Sequence, residues 1–558
     1  MARISLAIVC ATLACAQARA ADFKSPPVSN YAVTAFGARG DGATNDTALV
    51  QRAIEACAAH GGGTVYFAPG VYLCGSLHLR SGVVLWLDAG ATIKGSERRD
   101  DYDRYETLGF KNASDHETSY FHYALIWGED VEHIGIVGQG TIDANRRKRG
   151  GPKPIALKRC KHVAIQGITI ENAPNYNISL LGTDEVVIDG VTIRNGYCDG
   201  IDPDCCHNVR IANCTIASVD DAIVPKTSLT LGRVRSTENV TVTNCVLATE
   251  ANGLKLGTES RGDFKRIAFS NCVVTGLRDH PATSGVSLES VDGANVDGVV
   301  VSNITMVDCR APIFLRLGNR GRDMQKPTPG TLRNVCLSNI VATRGTICAS
   351  MTGIPGHPVQ NVTCSNLQFS YAGGIRYCPP DAAIPEQIQE YPDADQYEAL
   401  PSYGLYCRHV EGLTLSNVHV RFDDGFYRIQ ARHDRNIRWA ADSAAQPSAP
   451  ARPGLALLCD DVKDLTIAGF RGRPSADEPS LLRLVNVRSA MVTGCIAPDG
   501  ANRFLELAGA NTSRVSVVGN DFRGAAEAVA VLGANPKELV CLGNADGRSA
   551  ATAKDGKK

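Results

Sequence analysis

One repeat runs through most of this chain and leaves few folds open to it. An alternating apolar strand, then Asn or Gly, then a second short apolar strand recurs as VAIQGITI (163–170), VVIDGVTI (186–193), VRIANCTI (209–216), VTVTNCVL (240–247) and IAFSNCVV (267–274). It continues through VVVSNITM (299–306), VCLSNIVA (335–342), VTCSNLQF (362–369) and LTLSNVHV (413–420), with weaker copies at 465–472, 491–498 and 515–522. From Gly167 to Asn366 the central residue steps by 23, 23, 31, 27, 32, 36 and 27. Short strands at such intervals match the turns of a parallel β-helix. Period-2 alternation sends one set of side chains into the shaft and the other to solvent. The asparagine reads as a ladder at a bend, where it tolerates unusual dihedrals and bonds its copy one turn away. A sandwich would need hairpin turns, and Asn-Gly linkers between paired strands are scarce here. The expected fold class is all-β, a solenoid.

The organisation follows from where the rhythm starts and stops. Residues 1–20, MARISLAIVCATLACAQARA, have a thin basic start, an apolar run and a small-x-small site at Ala18-Arg19-Ala20, the pattern of a secretory signal. The run is short for a membrane span, and no later stretch approaches the ~18 apolar residues a span needs. Export to the periplasm or the exterior is the expectation. Next, Asp46 is placed to cap a helix in which Leu49, Ala53 and Cys57 share a face with Val50 and Ile54 beside it, and Gly61-Gly62-Gly63 stops it. That helix would cover the open apolar end of the first coils. One β-helix domain over 21–545 is expected, with insertions near 97–124, 373–403 and 440–454 and a disordered tail at 546–558. Insertions of this kind can wall a cleft on a rigid scaffold.

The stretch YCDGIDPDCCHNVRIANCTIASVDDAIVPK (197–226) holds five aspartates in a chain of net charge −1. Stacking the coils on inward Ile178, Ile201, Ile223, Leu254, Val286 and Ile313 puts Asp199, Asp221 and Asn252 in one column, with Ser284 next. Asp202, Val224, Lys255 and Ser287 form a neighbouring outward column, and Asp220 stands beside Asp221. Coils lie about 4.8 Å apart, so Asp199, Asp220 and Asp221 come within reach of one small molecule. Three carboxylates that close cannot all ionise cheaply, and one is expected to hold a proton. A proton donor beside carboxylates able to activate water is what cleavage of a glycosidic bond requires. Calcium could use the same oxygens, which keeps a calcium-dependent lyase or epimerase open, as well as a non-catalytic carbohydrate-binding solenoid. Asp204 reads as a turn residue bonded to backbone.

Basic groups follow on the same face. Lys226, Lys255, Arg278, His280, Arg316 and Arg320 are candidates to hold a sugar carboxylate, or else to pair with Glu259, Glu289 or Asp292. Tyr197 and Tyr176 can pack on a sugar face. Lys plus Arg (57) nearly balances Asp plus Glu (58), which argues against a nucleic-acid partner. The 18 cysteines beyond the leader fall singly in strand-like contexts without zinc-site spacing. They read mainly as buried small hydrophobes, with some disulfides expected after export and Cys205-Cys206 a place to look.

At these residues the sequence resembles glycoside hydrolase family 28, the polygalacturonases and rhamnogalacturonan hydrolases. The resemblance rests on CDGID around Asp199, VDDAI around Asp220-Asp221, TAFGARGDG and GGGTVYFAPGVY. It implies a right-handed parallel β-helix and inverting hydrolysis with no cofactor and no metal. It further implies Asp220 as general acid, with Asp199 and Asp221 holding and activating water. Substrate contacts are expected from Asp202, Lys226, Asn252, Lys255, Arg278, His280, Glu289, Arg316 and Tyr197. The substrate is expected to be an acidic polysaccharide or oligosaccharide, met by a monomer without a membrane partner. The chain departs from the family pattern in three places. Tyr197-Cys198-Asp199 replaces Asn-Thr-Asp, Ala251-Asn252-Gly253 stands where a histidine precedes glycine, and the Arg-x-Lys motif has no clean copy, Leu277-Arg278-Asp279 falling near its place. Retained hydrolysis with an altered sugar subsite is the reading, with a lean toward action at chain ends.

Overall fold

A computed structural model describes residues 31–373, 378–397, 399–427, 453–476, 478–532 and 538–546. The leader, most of the insertion near 440–454, part of that near 373–403 and the tail from 547 lie outside these residues. The strands wind as a right-handed parallel β-helix whose successive coils pair in parallel and in register. On the face that matters for function the register runs Ile178↔Ile201, Ile201↔Ile223, Ile223↔Leu254, Leu254↔Val286 and Val286↔Ile313. These are the six residues the alternation pointed inward, and they join one continuous apolar column along the shaft. Each such side chain removed from water stabilises the coil by roughly 1.5–3 kcal/mol, so a slip of one residue in any coil would reverse every gain at once.

The bend asparagines hold the conformation proposed for them. Asn213, Asn244, Asn271, Asn303, Asn339, Asn366 and Asn417 all have positive φ, between 52° and 58°. Asn303 Nδ2 donates to Asn271 Oδ1 at 3.0 Å, Asn339 to Asn303 at 3.0 Å, Asn366 to Asn339 at 3.0 Å and Asn417 to Asn366 at 2.8 Å. A short amide tolerates the left-handed region and repeats its bond coil after coil.

The helix spans Thr47–Ala59 and buries Val50, Ala53, Ile54 and Cys57 against the start of the shaft. Asp46 does not cap it. Its carboxylate instead accepts from Arg39 N at 2.8 Å and Gly40 N at 3.0 Å, because Asp46 is fully buried and tied to the preceding turn. The expected disulfides are also absent among the described residues: all eighteen cysteines there are free. Most sit as buried packing groups in the coil stack, Cys214, Cys245 and Cys272 among them.

Burial distinguishes one face from the others. Strands such as Val83–Leu87 and Ala91–Gly95 alternate buried and part-exposed positions. By contrast Lys153–Lys158, Ile178–Leu181, Ile201–Asp204 and Asn252–Leu256 are buried at every position. Their outward side chains are covered by segments 97–124 and 378–400 and by one another's charges, and the cleft forms there.

Candidate active site

The cleft, about 560 Å³ in volume, opens where the chain turns into the fully buried face. Asp199 precedes Ile201–Asp204, Asp220 and Asp221 precede the Ile223 bridge, and Asn252 begins Asn252–Leu256. All four line it. The nearest oxygens of Asp199 and Asp220, with Cys198 Sγ, lie within 4.8 Å of one another. Residue 115 on one insertion and residues 391, 393 and 395 on the other complete the walls, as Asp115, Tyr391, Asp393 and Asp395.

Each acid has a different setting. Asp199 is almost wholly buried, its Oδ2 accepting from Lys226 Nζ at 2.7 Å. Lys226 Nζ also lies 2.6 Å from Asp202 Oδ1, in a geometry that makes it an ion pair and not a directed hydrogen bond. Tyr176 closes over the ammonium, its ring centre 4.1 Å away. Burial pushes the Asp199 carboxyl well above the ordinary range, against Lys226 and with help from Asp202, Asp220 and Asp221. Burial likewise pushes Asp202 up to about 6. On Lys226 burial works downward, but Asp199 and Asp202 outweigh it and keep the ammonium charged. Two acids share one cation, and burial disfavours the charged form of both, of Asp199 most strongly.

Asp221 is fixed by donors. Its Oδ1 accepts from Asn252 N at 3.1 Å and Asn252 Nδ2 at 2.6 Å, and its Oδ2 faces Lys255 Nζ at 3.1 Å. Asn252 is held in turn, its Oδ1 accepting from Ser284 Oγ at 2.6 Å. Asp220 is the open member, its side chain 31 % exposed, with Arg149 Nη1 donating to Oδ2 at 2.7 Å. Arg149 also pairs with Glu117.

The remaining predicted contacts divide. Lys226, Lys255 and His280 line the cleft. Asp202 and Glu289 lie beneath it, Glu289 pushed up to about 8 by burial and accepting from Ser287 Oγ at 2.6 Å. Arg278, exposed at a left-handed bend, and Tyr197 are outside the lining; Tyr176 takes the aromatic place. Arg316 is outside too. It is 1 % exposed, and its guanidinium bonds Tyr397 Oη at 2.7 Å and the carbonyls of Glu386 and Gln387 at 2.7 and 2.8 Å, which pins the wall segment. Arg320 pairs with Asp292 at 2.6 Å. Asp204 accepts from Ser228 N at 2.8 Å, as a turn residue would.

Sequence reasoning passed over Arg149, Arg310, Arg322 and the acids of the walls. For Arg149 a signal existed: NRRKRG (145–150) lies in the turn before Lys153–Lys158, three coils before Asp220. Cys198, Asp199 and Asp220 are the one convergent set of metal-capable groups among the described residues. The Cys198 thiol is held protonated by burial and by Asp199 and Asp220, and calcium takes about 6–8 oxygens. The set is a poor calcium cage.

Comparison with known proteins gives a consistent picture. The model of the glycosyl hydrolases family 28 matches residues 103–383, half of the chain. A probable polygalacturonase of Vitis vinifera is 25% identical over 400 residues, covering 66% of this chain and 80% of that protein. A polygalacturonase of Ralstonia solanacearum is 27% identical over 338 residues, covering 53% and 60%. Among solved structures, a family 28 exopolygalacturonase of Yersinia enterocolitica superposes with a TM-score of 0.56 at 18% identity, covering 71% of this chain and 76% of that one. An exopolygalacturonase of Thermotoga maritima does so with 0.55 at 21% identity, covering 63% and 90%. With the coiled fold and the three clustered aspartates, these matches place the chain in glycosyl hydrolase family 28.

Proposed function

We propose that the protein hydrolyses a glycosidic bond in a pectic or related uronate- and rhamnose-containing carbohydrate, with inversion and without a cofactor. The observation that carries this reading is the unequal setting of three acids around one space: Asp199 buried on Lys226 with its carboxyl pushed up, Asp221 held by Asn252 and Lys255, and Asp220 open to the cleft. Substrate binding displaces Arg149 from Asp220, and a proton held on Asp199 passes to Asp220 across a gap of less than 4.8 Å. Asp220 then donates it to the leaving oxygen. Asp199, now ionised, and Asp221 orient a water and take its proton as the oxygen attacks the anomeric carbon. The cycle ends with Asp199 protonated again and Asp220 ready to re-pair with Arg149, so protons balance. The nearest oxygens of Asp199 and Asp220 are closer than the roughly 6.5–9.5 Å usual between acid and base in inverting enzymes. Inversion therefore requires that Asp221 join Asp199 in placing the water, and the configuration of the first product tests it. Walls on both sides favour attack near a chain end, and the leader pattern supports work outside the cytoplasm.

The test is incubation with pectic oligosaccharides in excess chelator, reading product masses. Hydrolysis predicts products that sum to the substrate plus one water, with no ultraviolet-absorbing double bond. A calcium-dependent lyase predicts the reverse: unsaturated products, no added water and loss of activity in chelator.

A further inference from the structure

The lysines and arginines that line the cleft among the described residues are each paired. Arg149 bonds Asp220 and Glu117, and Lys226 bonds Asp199 and Asp202. Lys255 lies 3.1 Å from Asp221 and 3.9 Å from Glu289. Arg310 pairs with Asp395 at 3.1 Å, and Arg322 with Glu259 at 2.6 Å. Beyond these pairs the lining still holds Asp115, Glu250 and Asp393, none in an ion pair among the described residues. Following the outward column from Lys255, the next coils present Ser287 and then Phe314, a hydroxyl and an aromatic ring. Two residues on, Glu289 is followed by Arg316, which is buried against backbone carbonyls.

We propose that the sugar ring seated over Asp199, Asp220 and Asp221 is neutral, a hexosyl or deoxyhexosyl unit, and that uronosyl units of the substrate fall outside that subsite. Arg149, even when released by Asp220, stays bonded to Glu117 through Nε and Nη2, so among the described residues a uronate carboxylate there would find no unpaired lysine or arginine. It would have to take a cation from a carboxylate already bonded to it, beside further acids, and like charges so placed are strongly disfavoured. Hydroxyl groups meet no such conflict, since carboxylates accept from them and the paired Lys and Arg N–H groups can still donate. This inference rests on the hydrolase reading and specifies the sugar that reading leaves open.

The test identifies the sugar at the new reducing end, which is the ring held over the acids. Pectic oligosaccharides of alternating hexuronosyl and deoxyhexosyl units are first reduced with borohydride, then digested with the full-length protein and reduced with borodeuteride. The deuterium-labelled residue is then identified by mass. The inference predicts label in the neutral deoxyhexitol over the acid-derived product by on the order of a hundredfold. Label mainly in the uronate-derived residue overturns it while leaving hydrolysis intact. Unsaturated products without added water overturn the hydrolase reading, and the inference with it. As a second measurement, a free neutral deoxyhexose is expected to inhibit as a competitive product while D-galacturonate does not; inhibition by D-galacturonate alone overturns the proposal.

Discussion

Asp220→Asn is expected to lower kcat by roughly a thousandfold while KM changes little, because proton donation to the leaving group typically supplies 10²–10⁴ of the rate. The substitution keeps size and shape, and the amide oxygen can still accept from Asp221 N, the contact Asp220 Oδ1 makes at 3.1 Å. Asp220 is also the most exposed of the three acids, so the variant should unfold at nearly the wild-type denaturant midpoint. A fall in kcat without a fall in stability separates chemistry from scaffolding, and chelator should affect neither protein. Steady-state kinetics on a substrate that wild type cleaves, together with urea unfolding of both proteins, checks the pair of expectations. Wild-type activity in Asp220→Asn would remove this residue from the mechanism.

Lys226→Met should have the largest effect on stability. The ammonium lies between two buried carboxyl groups, with 4 % of its side chain exposed, and among the described residues no other cation bonds either acid. Removing one partner of such a group usually costs about 3–5 kcal/mol, since buried charge is left without compensation. The loss should depend on pH with a definite sign. Burial raises both acids in the folded protein, Asp202 to about 6 even with Lys226 present. A carboxyl raised on folding binds more protons folded than unfolded, so it favours the fold at low pH, and that advantage is lost as pH rises through the folded value. The deficit of Lys226→Met should therefore be greatest above about pH 6 and shrink toward pH 4, where unfolded carboxylates begin to protonate. Urea unfolding at several pH values measures this. A deficit independent of pH would mean that Lys226 acts by packing on Tyr176 and not by charge.

The shaft was readable from sequence because its information is local and repeated. Ile178, Ile201, Ile223, Leu254, Val286 and Ile313 each sit in a short alternating segment, and the observed register joins them in that order. The ladder asparagines were readable for the same reason. Asp199, Asp220 and Asp221 were visible because their coils are adjacent and their motif is dense. What escaped lies in segments whose path is set by tertiary contacts. Nothing near Tyr391, Asp393 or Asp395 tells the reader that this insertion folds back over the cleft; its position depends on Arg316, 70 to 81 residues earlier, reaching its carbonyls and Tyr397. Arg316 was misread for the same reason, since an outward arginine near a site looks like a substrate clamp until the wall covering it is known. Asp46 shows a smaller version of the problem. A good cap residue in the right place was taken instead by the turn at Arg39 and Gly40, which bonds more of its lone pairs.

The central claim is that carboxylates from neighbouring coils direct water to one face of a sugar while a proton is given to the other side. The configuration of the freshly formed anomeric centre reports on this most directly, followed by proton NMR in the first minutes before mutarotation. The arrangement of Asp199, Asp220 and Asp221 predicts that the first product carries the opposite anomeric configuration to the bond cleaved. A first product with the original configuration would contradict it, and would mean that one of these acids attacks the sugar itself.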